Sequence, residues 1–226
     1  MKVRKPRLPE ARIDFSQVSK MMKPPEDGLI WEWRAFGRVS PELERWLHSH
    51  PIRMGIKGQQ GFDEYFISTE SEQNVKIRKY RTGSVLKFKF LLSMGDDGIE
   101  LYAENPDYTY RFPLNIEHLR KSARLLRLEI PAIEPEATEL STEQFSEWLL
   151  KPAPAVSMIG VEKRRWQFDC DGGWLELADI AIKGQTLRTI SIHSPELAIV
   201  EDIKTRIGPG NDLDVMNYVK ACRRWG

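Results

Sequence analysis

The sequence predicts an α+β protein whose largely antiparallel sheet, about eight strands, closes into a β-barrel with flanking helices. Three observations carry this. Short period-2 segments recur at close spacing, the pattern of antiparallel strands joined by turns. Helical stripes with capping signals are grouped between runs of strands and do not alternate with them one for one. A sheet of that many strands gains by closing, because closure removes its exposed edges.

The first residues, 1–28, mix cations with Pro6, Pro9, Pro24 and Pro25 and read as an irregular basic arm; residues 29–226 read as one barrel domain with C-terminal helices. Leu29 to Phe36 is the first strand, with Trp31, Trp33 and Ala35 on one face and Ile30, Glu32 and Arg34 on the other. The tryptophans read as packing residues between this sheet and a following helix. That helix opens at Ser40-Pro41, a cap followed by proline at the first helical position, and carries Leu43, Trp46 and Leu47. A strand at Phe62 to Ser68 precedes a hairpin, Val75 to Tyr80 and Val85 to Phe90, turned at Thr82-Gly83-Ser84. Ile99 to Ala103 and Tyr108 to Leu114 are further strand material, either one barrel strand or a second hairpin.

Asn115 caps a helix with Ile116, Leu119, Ala123 and Leu126 inward and Arg120, Lys121, Arg124 and Arg127 on a solvated flank. An acidic, Pro-rich connector, Glu129 to Glu139, leads to a helix whose Ser141 and Gln144 have capping-box spacing. Strands return at Val156 to Phe168, Trp174 to Ile182 and Leu187 to His193. Ser194-Pro195 opens a helix with the stripe Leu197, Val200, Ile203 and Ile207, and Asn211-Asp212 starts a last one reaching about Arg224.

Charge is sorted along these strands. Lys76 and Arg78 share one face of the hairpin's first strand, Lys87 and Lys89 one face of its second, with no carboxylate among them. Like charges across a strand pair repel unless something neutralises them. The face is either a solvated outer surface or the wall of a site for a polyanion. Lys163 with Arg165, and Glu176, continue the same phase in later strands. Closing the sheet would bring these together with Glu32 and Arg34 in one lumen, tolerable only if wet, since unpaired buried ions are costly. Cations for phosphate oxygens beside carboxylates for a divalent metal are the ingredients of phosphoanhydride chemistry.

Bulk properties exclude several alternatives. The 226 residues are 41% hydrophobic and 30% charged, ordinary for a soluble protein. A net charge of +1 gives no global field toward nucleic acid or an anionic membrane, so neither is an expected partner. No apolar run is long enough to span a bilayer, and no secretory leader is evident. Cys170 and Cys222 match no metal-ligand spacing and point to a reducing cytoplasm. Nothing in the pattern specifies an oligomeric state.

The ordered series Glu32 with Arg34, Asp63 with Tyr65, Lys76 with Arg78, Lys87 or Lys89, Lys163 with Arg165, and Glu176 near Asp179 resembles the CYTH domains, or triphosphate tunnel metalloenzymes, over roughly Leu29 to Ile207. The resemblance implies a phosphate grip of Lys76, Arg78, Lys87, Lys89, Lys163 and Arg165. It implies Glu32 and Arg34 at the catalytic position and Mg²⁺ or Mn²⁺ held by Glu32, Glu176 and His193. The chain departs from the family where Ile30 replaces the opening glutamate, Arg34 the lysine, and Ser191 and His193 the closing Glu-x-Glu. Arginine does not deprotonate in proteins and is no general base. The expected activity is metal-dependent hydrolysis of a linear triphosphate, a polyphosphate or a nucleotide. The alternative is a non-catalytic polyphosphate- or nucleotide-binding module with a degenerate metal site.

Overall fold

The computed structural model describes residues 28–53, 56–104, 108–129, 139–170, 172–207 and 212–226. Within these, the period-2 segments form β1 (Leu29–Gly37), β2 (Gln59–Ser68), β3 (Asn74–Tyr80), β4 (Gly83–Met94), β5 (Ile99–Ala103) and β6 (Thr109–Arg111). They continue as β7 (Val156–Cys170), β8 (Gly173–Ile182), β9 (Gln185–Ser194) and β10 (Leu213–Val215). The helices are α1 (Pro41–His48), α2 (Ile116–Leu126), α3 (Thr142–Leu150), α4 (Leu197–Ile207) and α5 (Tyr218–Trp225). The predicted basic arm, the heart of the Pro-rich connector and the Asn105-Pro106 break lie outside the described residues.

Eight strands close in the order β1-β5-β4-β3-β2-β7-β8-β9, with β9 pairing back onto β1 from Trp31↔Ser194 to Phe36↔Thr189. Every pairing is antiparallel, so each strand turns alternate side chains into the lumen. β6 pairs with β4 off the ring, which resolves the open reading of Tyr108 to Leu114: only Thr109–Arg111 is strand, and it is not a barrel stave.

Caps set the helices where the sequence places them. Ser40 accepts from Leu43 N, Asn115 from Glu117 N and His118 N, and Ser141 with Gln144 completes a capping box. α2 and α3 then cover the outer faces of β2, β3 and β4, packing Leu119, Leu126, Phe145 and Leu149 on Phe66, Val75, Ile77 and Leu86. α1 and α4 cover β1, β8 and β9 through Leu43, Leu47, Val200 and Ile203 against Trp33, Ala35, Leu177 and Ile190. Burying each such side chain is worth about 1.5–3 kcal/mol. Lys121 departs from its predicted solvated flank: its Nζ donates to Tyr110 Oη (3.1 Å) and sits 5.0 Å from the Phe88 ring centre.

The last helix also differs from expectation. Residues 213–215 are strand, filling the edge that β5 leaves free at the end of β1 (Ala35↔Val215, Gly37↔Leu213), and α5 starts only at Tyr218. Asn217, not Asn211, is the cap, accepting from Lys220 N. This short helix packs into the barrel. Tyr218, Val219, Ala221 and Cys222 join Phe36, Tyr65, Val161, Ile180 and Ile182, side chains in phase with the lumen face of their strands. One end of the lumen is thereby filled with apolar groups and the remainder is left to the charged ones.

Tyr218 is the centre of that plug, stacked on Tyr65 (5.6 Å between ring centres, 21°) and edge-on to Phe36 (5.4 Å, 88°). Tyr218→Ala should cost about 3–5 kcal/mol in urea denaturation, as for other large aromatic truncations. Tyr218→Phe should cost almost nothing, because the buried hydroxyl has no hydrogen-bond partner among the described residues to lose. Equal losses in the two variants would refute the plug.

Candidate functional site

The register carries the charge-bearing phase of β1, β3, β4, β7, β8 and β9 into one cavity of about 220 Å³, lined by every one of the predicted site residues. The charges divide between two walls.

The side built around Asp63 from Lys76 and Arg78 of β3, Lys87 of β4 and Lys163 of β7 is basic. Lys76 and Lys87 are direct cross-strand partners, and Asp63 faces Arg78. Asp63 is 1% exposed and accepts from Arg78 Nε (2.7 Å) and Nη2 (3.0 Å), Lys76 Nζ (3.1 Å) and Lys163 Nζ (2.8 Å). Both lysines also reach Tyr65 Oη, at 3.2 and 2.6 Å. Burial would raise the Asp63 carboxyl, but Lys163, Lys76 and Arg78 overcome it and hold Asp63 well below the carboxylate range. One carboxylate does not compensate three cations: burial, helped by the neighbouring positive charges, depresses Lys76 and Lys163. Lys87 makes no hydrogen bond or ion pair among the described residues, and burial and Arg78 push it down too. Four cations on this wall answer to one carboxylate.

The other side, where Lys89 of β4 and Arg165 of β7 turn to Glu32, Glu104 and Glu176, is balanced. Glu32 accepts from Arg34 Nε (2.8 Å) and from Lys89 Nζ, which also pairs with Glu104 (3.2 Å). The Arg34 guanidinium continues to Glu176 Oε1 (3.4 Å from Nη1 and Nη2) and Thr189 Oγ1 (3.3 Å), and lies 4.5 Å from the Tyr218 ring centre. Glu176 Oε2 accepts from Gln167 (2.8 Å) and faces Arg165 Nη1 at 3.6 Å. Arg165 also donates twice to Gln59 Oε1, at 2.9 and 2.6 Å. Against their burial, Lys89 and Arg34 hold Glu32 well below the usual range, and Arg34 with Arg165 brings Glu176 to about 2. Glu104, beside Lys89, also lies at about 2. Three cations (Arg34, Lys89, Arg165) meet three carboxylates here.

His193 pairs in register with Glu32 and lies flat on Trp174 (4.8 Å, 3°). Its Nε2 is 2.9 Å from Ser191 Oγ, while Nδ1 is buried without a hydrogen-bond partner and 3.5 Å from Glu32 Oε2. Burial holds it neutral, at about 4.

Sequence reasoning missed part of the lining, and also Glu100, a buried carboxylate behind it. Glu100 faces Glu32 across β1–β5, accepting from Tyr102 Oη (2.6 Å) and Asn217 Nδ2 (2.8 Å); burial raises its carboxyl. Tyr102, Glu104, Asn74 and Tyr218 line the cavity, and Asp63, noted only for its place in a motif, organises the basic wall. The alternation Glu100, Tyr102, Glu104 was a usable signal. Asp179 points outward to Arg188 (2.8 Å) and is not part of the site.

The predicted metal set, Glu32, Glu176 and His193, converges, but its donors do not fit a resident divalent ion. Mg²⁺ and Mn²⁺ need open oxygen donors about 2 Å away. Both oxygens of Glu32 and both of Glu176 already hold side-chain N–H groups, and Arg34 lies between the two carboxylates. Among the described residues no group of three or more His, Cys, Asp or Glu could hold a metal ion. No helix there is long and apolar enough to cross a membrane.

No protein-family model matches the chain, and no curated relative does. Solved structures do. An adenylyl cyclase candidate from Hippeastrum, described as having a dominant triphosphatase activity, is 12% identical with a TM-score of 0.47, over 86% of this chain and 95% of that one. An adenylate cyclase candidate from Bacillus halodurans is 14% identical (TM-score 0.46, 86% and 98% covered). The PH1012 protein of Pyrococcus horikoshii is 16% identical (TM-score 0.46, 84% and 98%). The barrel assignment rests on this chain's own closed topology.

Neutral burial of His193 fixes a pH dependence. Its folded value of about 4 lies below the ordinary 6.5, so between these values the unfolded chain binds a proton that the folded chain refuses. Stability from this group is complete above about pH 6.5 and is lost as pH falls toward 4, by roughly 3 kcal/mol at the bottom of the window. Thermal melts of His193→Gln should show a flatter slope there than wild type; an unchanged slope would place the acid sensitivity elsewhere.

Proposed function

We propose that the lumen receives the phosphate chain of a linear triphosphate or polyphosphate, free or carried by a nucleotide. One observation carries this: Lys76, Arg78, Lys87 and Lys163 converge on an enclosed wall with Asp63 as their sole paired carboxylate among the described residues. Uncompensated buried charge destabilises a free protein, and a bound polyanion removes that cost. Asn74, His193 and Tyr218 also line the cavity, and their Oδ1, Nδ1 and Oη are buried without hydrogen-bond partners among the described residues. The volume of about 220 Å³ is under the roughly 300–1,000 Å³ of ordinary small-molecule pockets, so a phosphate chain fits and a nucleoside stays outside.

Hydrolysis of a terminal phosphoanhydride is a second reading, favoured by His193. In the tautomer whose Nε2–H donates to Ser191 Oγ, Nδ1, 3.5 Å from Glu32 Oε2 and without a hydrogen-bond partner among the described residues, is left as an acceptor for a proton from water. His193→Asn should then abolish phosphate release from tripolyphosphate and preserve binding. Wild type that binds without releasing phosphate would leave the binding module as the function. Mg²⁺ or Mn²⁺ bound by Glu32, Glu176 and His193 is not carried forward, because the oxygens are taken.

Calorimetric titration with tripolyphosphate tests the binding directly. Affinity should fall with added salt. Lys87→Ala should weaken it about tenfold or more with no loss of melting temperature, since this cation has no partner to abandon. Lys89→Ala differs: it strips Glu32 and Glu104 of a partner and should destabilise the fold. Unaltered tripolyphosphate affinity in Lys87→Ala would contradict the proposed wall.

Binding should also take up protons. A polyanion beside Lys76 and Lys163 raises both lysines back toward their ordinary range, so the complex holds more protons than the free protein and affinity declines as pH rises. The binding enthalpy at mildly alkaline pH should therefore vary with the ionisation enthalpy of the buffer. Identical enthalpies in phosphate-free buffers of unlike ionisation enthalpy would refute the coupling.

A further inference from the structure

The Glu32–Arg34–Glu176 arrangement differs in kind from the other ion pairs of the barrel. Arg34 is 6% exposed and its guanidinium joins two carboxylates that stand on β1 and β8, strands separated in the ring by β9. It is held from several sides, by Thr189 Oγ1 at 3.3 Å and by the Tyr218 ring at 4.5 Å. An arginine keeps its charge at every pH a protein survives, so this cation cannot leave by deprotonation. Of its five N–H groups, Nε–H goes to Glu32, the Nη1 pair to Glu176 and Thr189, and one of the Nη2 pair to Glu176, leaving one without a partner among the described residues.

We infer that Arg34 is the fixed cation of this site, occupying the position between Glu32 and Glu176 that a divalent ion would need, and that the lumen binds linear phosphate chains as metal-free anions. This deepens the proposed function and rests on it for the identity of the anion. The two glutamates act as positioning residues for Arg34. A divalent ion entering between them would have to displace a guanidinium that is hydrogen-bonded to both and packed on an aromatic ring. A cation already bound to the phosphate chain is a disadvantage: it lowers the ligand's charge toward Lys76, Arg78, Lys87 and Lys163, and among the described residues no carboxylate pair in the lumen is free to receive it.

Two measurements on the wild-type protein decide this, and one variant extends them. Tripolyphosphate titrated in EDTA should bind at least as tightly as without chelator, and excess Mg²⁺ should weaken binding by roughly tenfold through lost ligand charge. Mn²⁺ alone, followed by electron paramagnetic resonance, should keep its free-ion spectrum beside the ligand-free protein. Arg34→Met keeps the apolar stem and removes the charge, leaving Glu32 and Glu176 facing one another. This variant should melt lower than wild type, bind Mn²⁺ in the resonance assay, and regain melting temperature when Mn²⁺ is added. Wild type that binds Mn²⁺ stoichiometrically without phosphate, or needs Mg²⁺ to bind tripolyphosphate, overturns the inference. A folded Arg34→Met that ignores Mn²⁺ overturns it as well. Should tripolyphosphate fail to bind under every condition, the proposed function falls, while the Mn²⁺ comparison still decides what Arg34 displaces.

Discussion

Closing the sheet is the constraint on which everything else depends. Once β9 pairs with β1, every second side chain of eight strands must share one lumen, and charges placed there can turn only to one another. Removing one member of a buried pair costs about 3–5 kcal/mol, because the survivor stays buried and charged. The two walls respond differently. Glu32, Glu104 and Glu176 match Arg34, Lys89 and Arg165, so that wall is internally satisfied. Asp63 is shared among three cations and Lys87 has no partner among the described residues, so the facing side keeps an excess of positive charge in a protein whose net charge is only +1. The binding potential of the molecule is local, made by sorting charge between strands.

The apolar end of the lumen makes the charged end possible. A barrel filled throughout with ions would have no core of its own, and its stability would rest on the outer helices alone. Instead the inward phase of three strands changes character along its length: Phe36 follows Arg34 on β1, Val161 precedes Lys163 on β7, and Ala178, Ile180 and Ile182 follow Glu176 on β8. α5 meets these groups and supplies Tyr218, whose ring takes Arg34 on the charged side and Phe36 and Tyr65 on the apolar side. The charged residues are thereby mounted on paired strands with a packed floor, which holds a site to tighter geometry than loops can.

Much of this was legible because a strand's period fixes its two faces whatever its neighbours are. The common phase of Lys76, Arg78, Lys87, Lys89, Lys163 and Arg165 needs only alternation and closure, and both hold. What failed to be legible depended on pairing. The alternation of Glu100, Tyr102 and Glu104 shows that they share a face, but that this face is the lumen follows only from the pairing of Glu100 with Glu32. The segment Leu213–Val215 read as the start of a helix because its strand character comes from the free edge of β1, a tertiary effect. The family resemblance implies Glu32, Glu176 and His193 as metal ligands from residue type and order alone, while the side chains that already occupy the carboxylates appear only in three dimensions.

The distribution of partners also bears on what part of a ligand this lumen can recognise. On β8 the inward side chain farthest from the apolar floor is Trp174, the one indole that lines the cavity. One face of its ring is covered by His193 and Arg53 lies 4.8 Å from its centre. Arg53 is loosely held, its Nε 3.8 Å from Asp169 with the side chain 43% exposed. A nucleobase could stack there only by displacing that guanidinium, exchanging a cation–π contact of about 0.5–1 kcal/mol at an exposed site for a stacking contact of similar size. Such an exchange is nearly even. A phosphate chain, by contrast, gains the unpaired Lys87 and relieves the three cations crowded on Asp63, and it does so whether or not a nucleoside is attached. On the proposed function, selectivity in this barrel lies in the run of phosphates, and the group at its end is left to the surface outside.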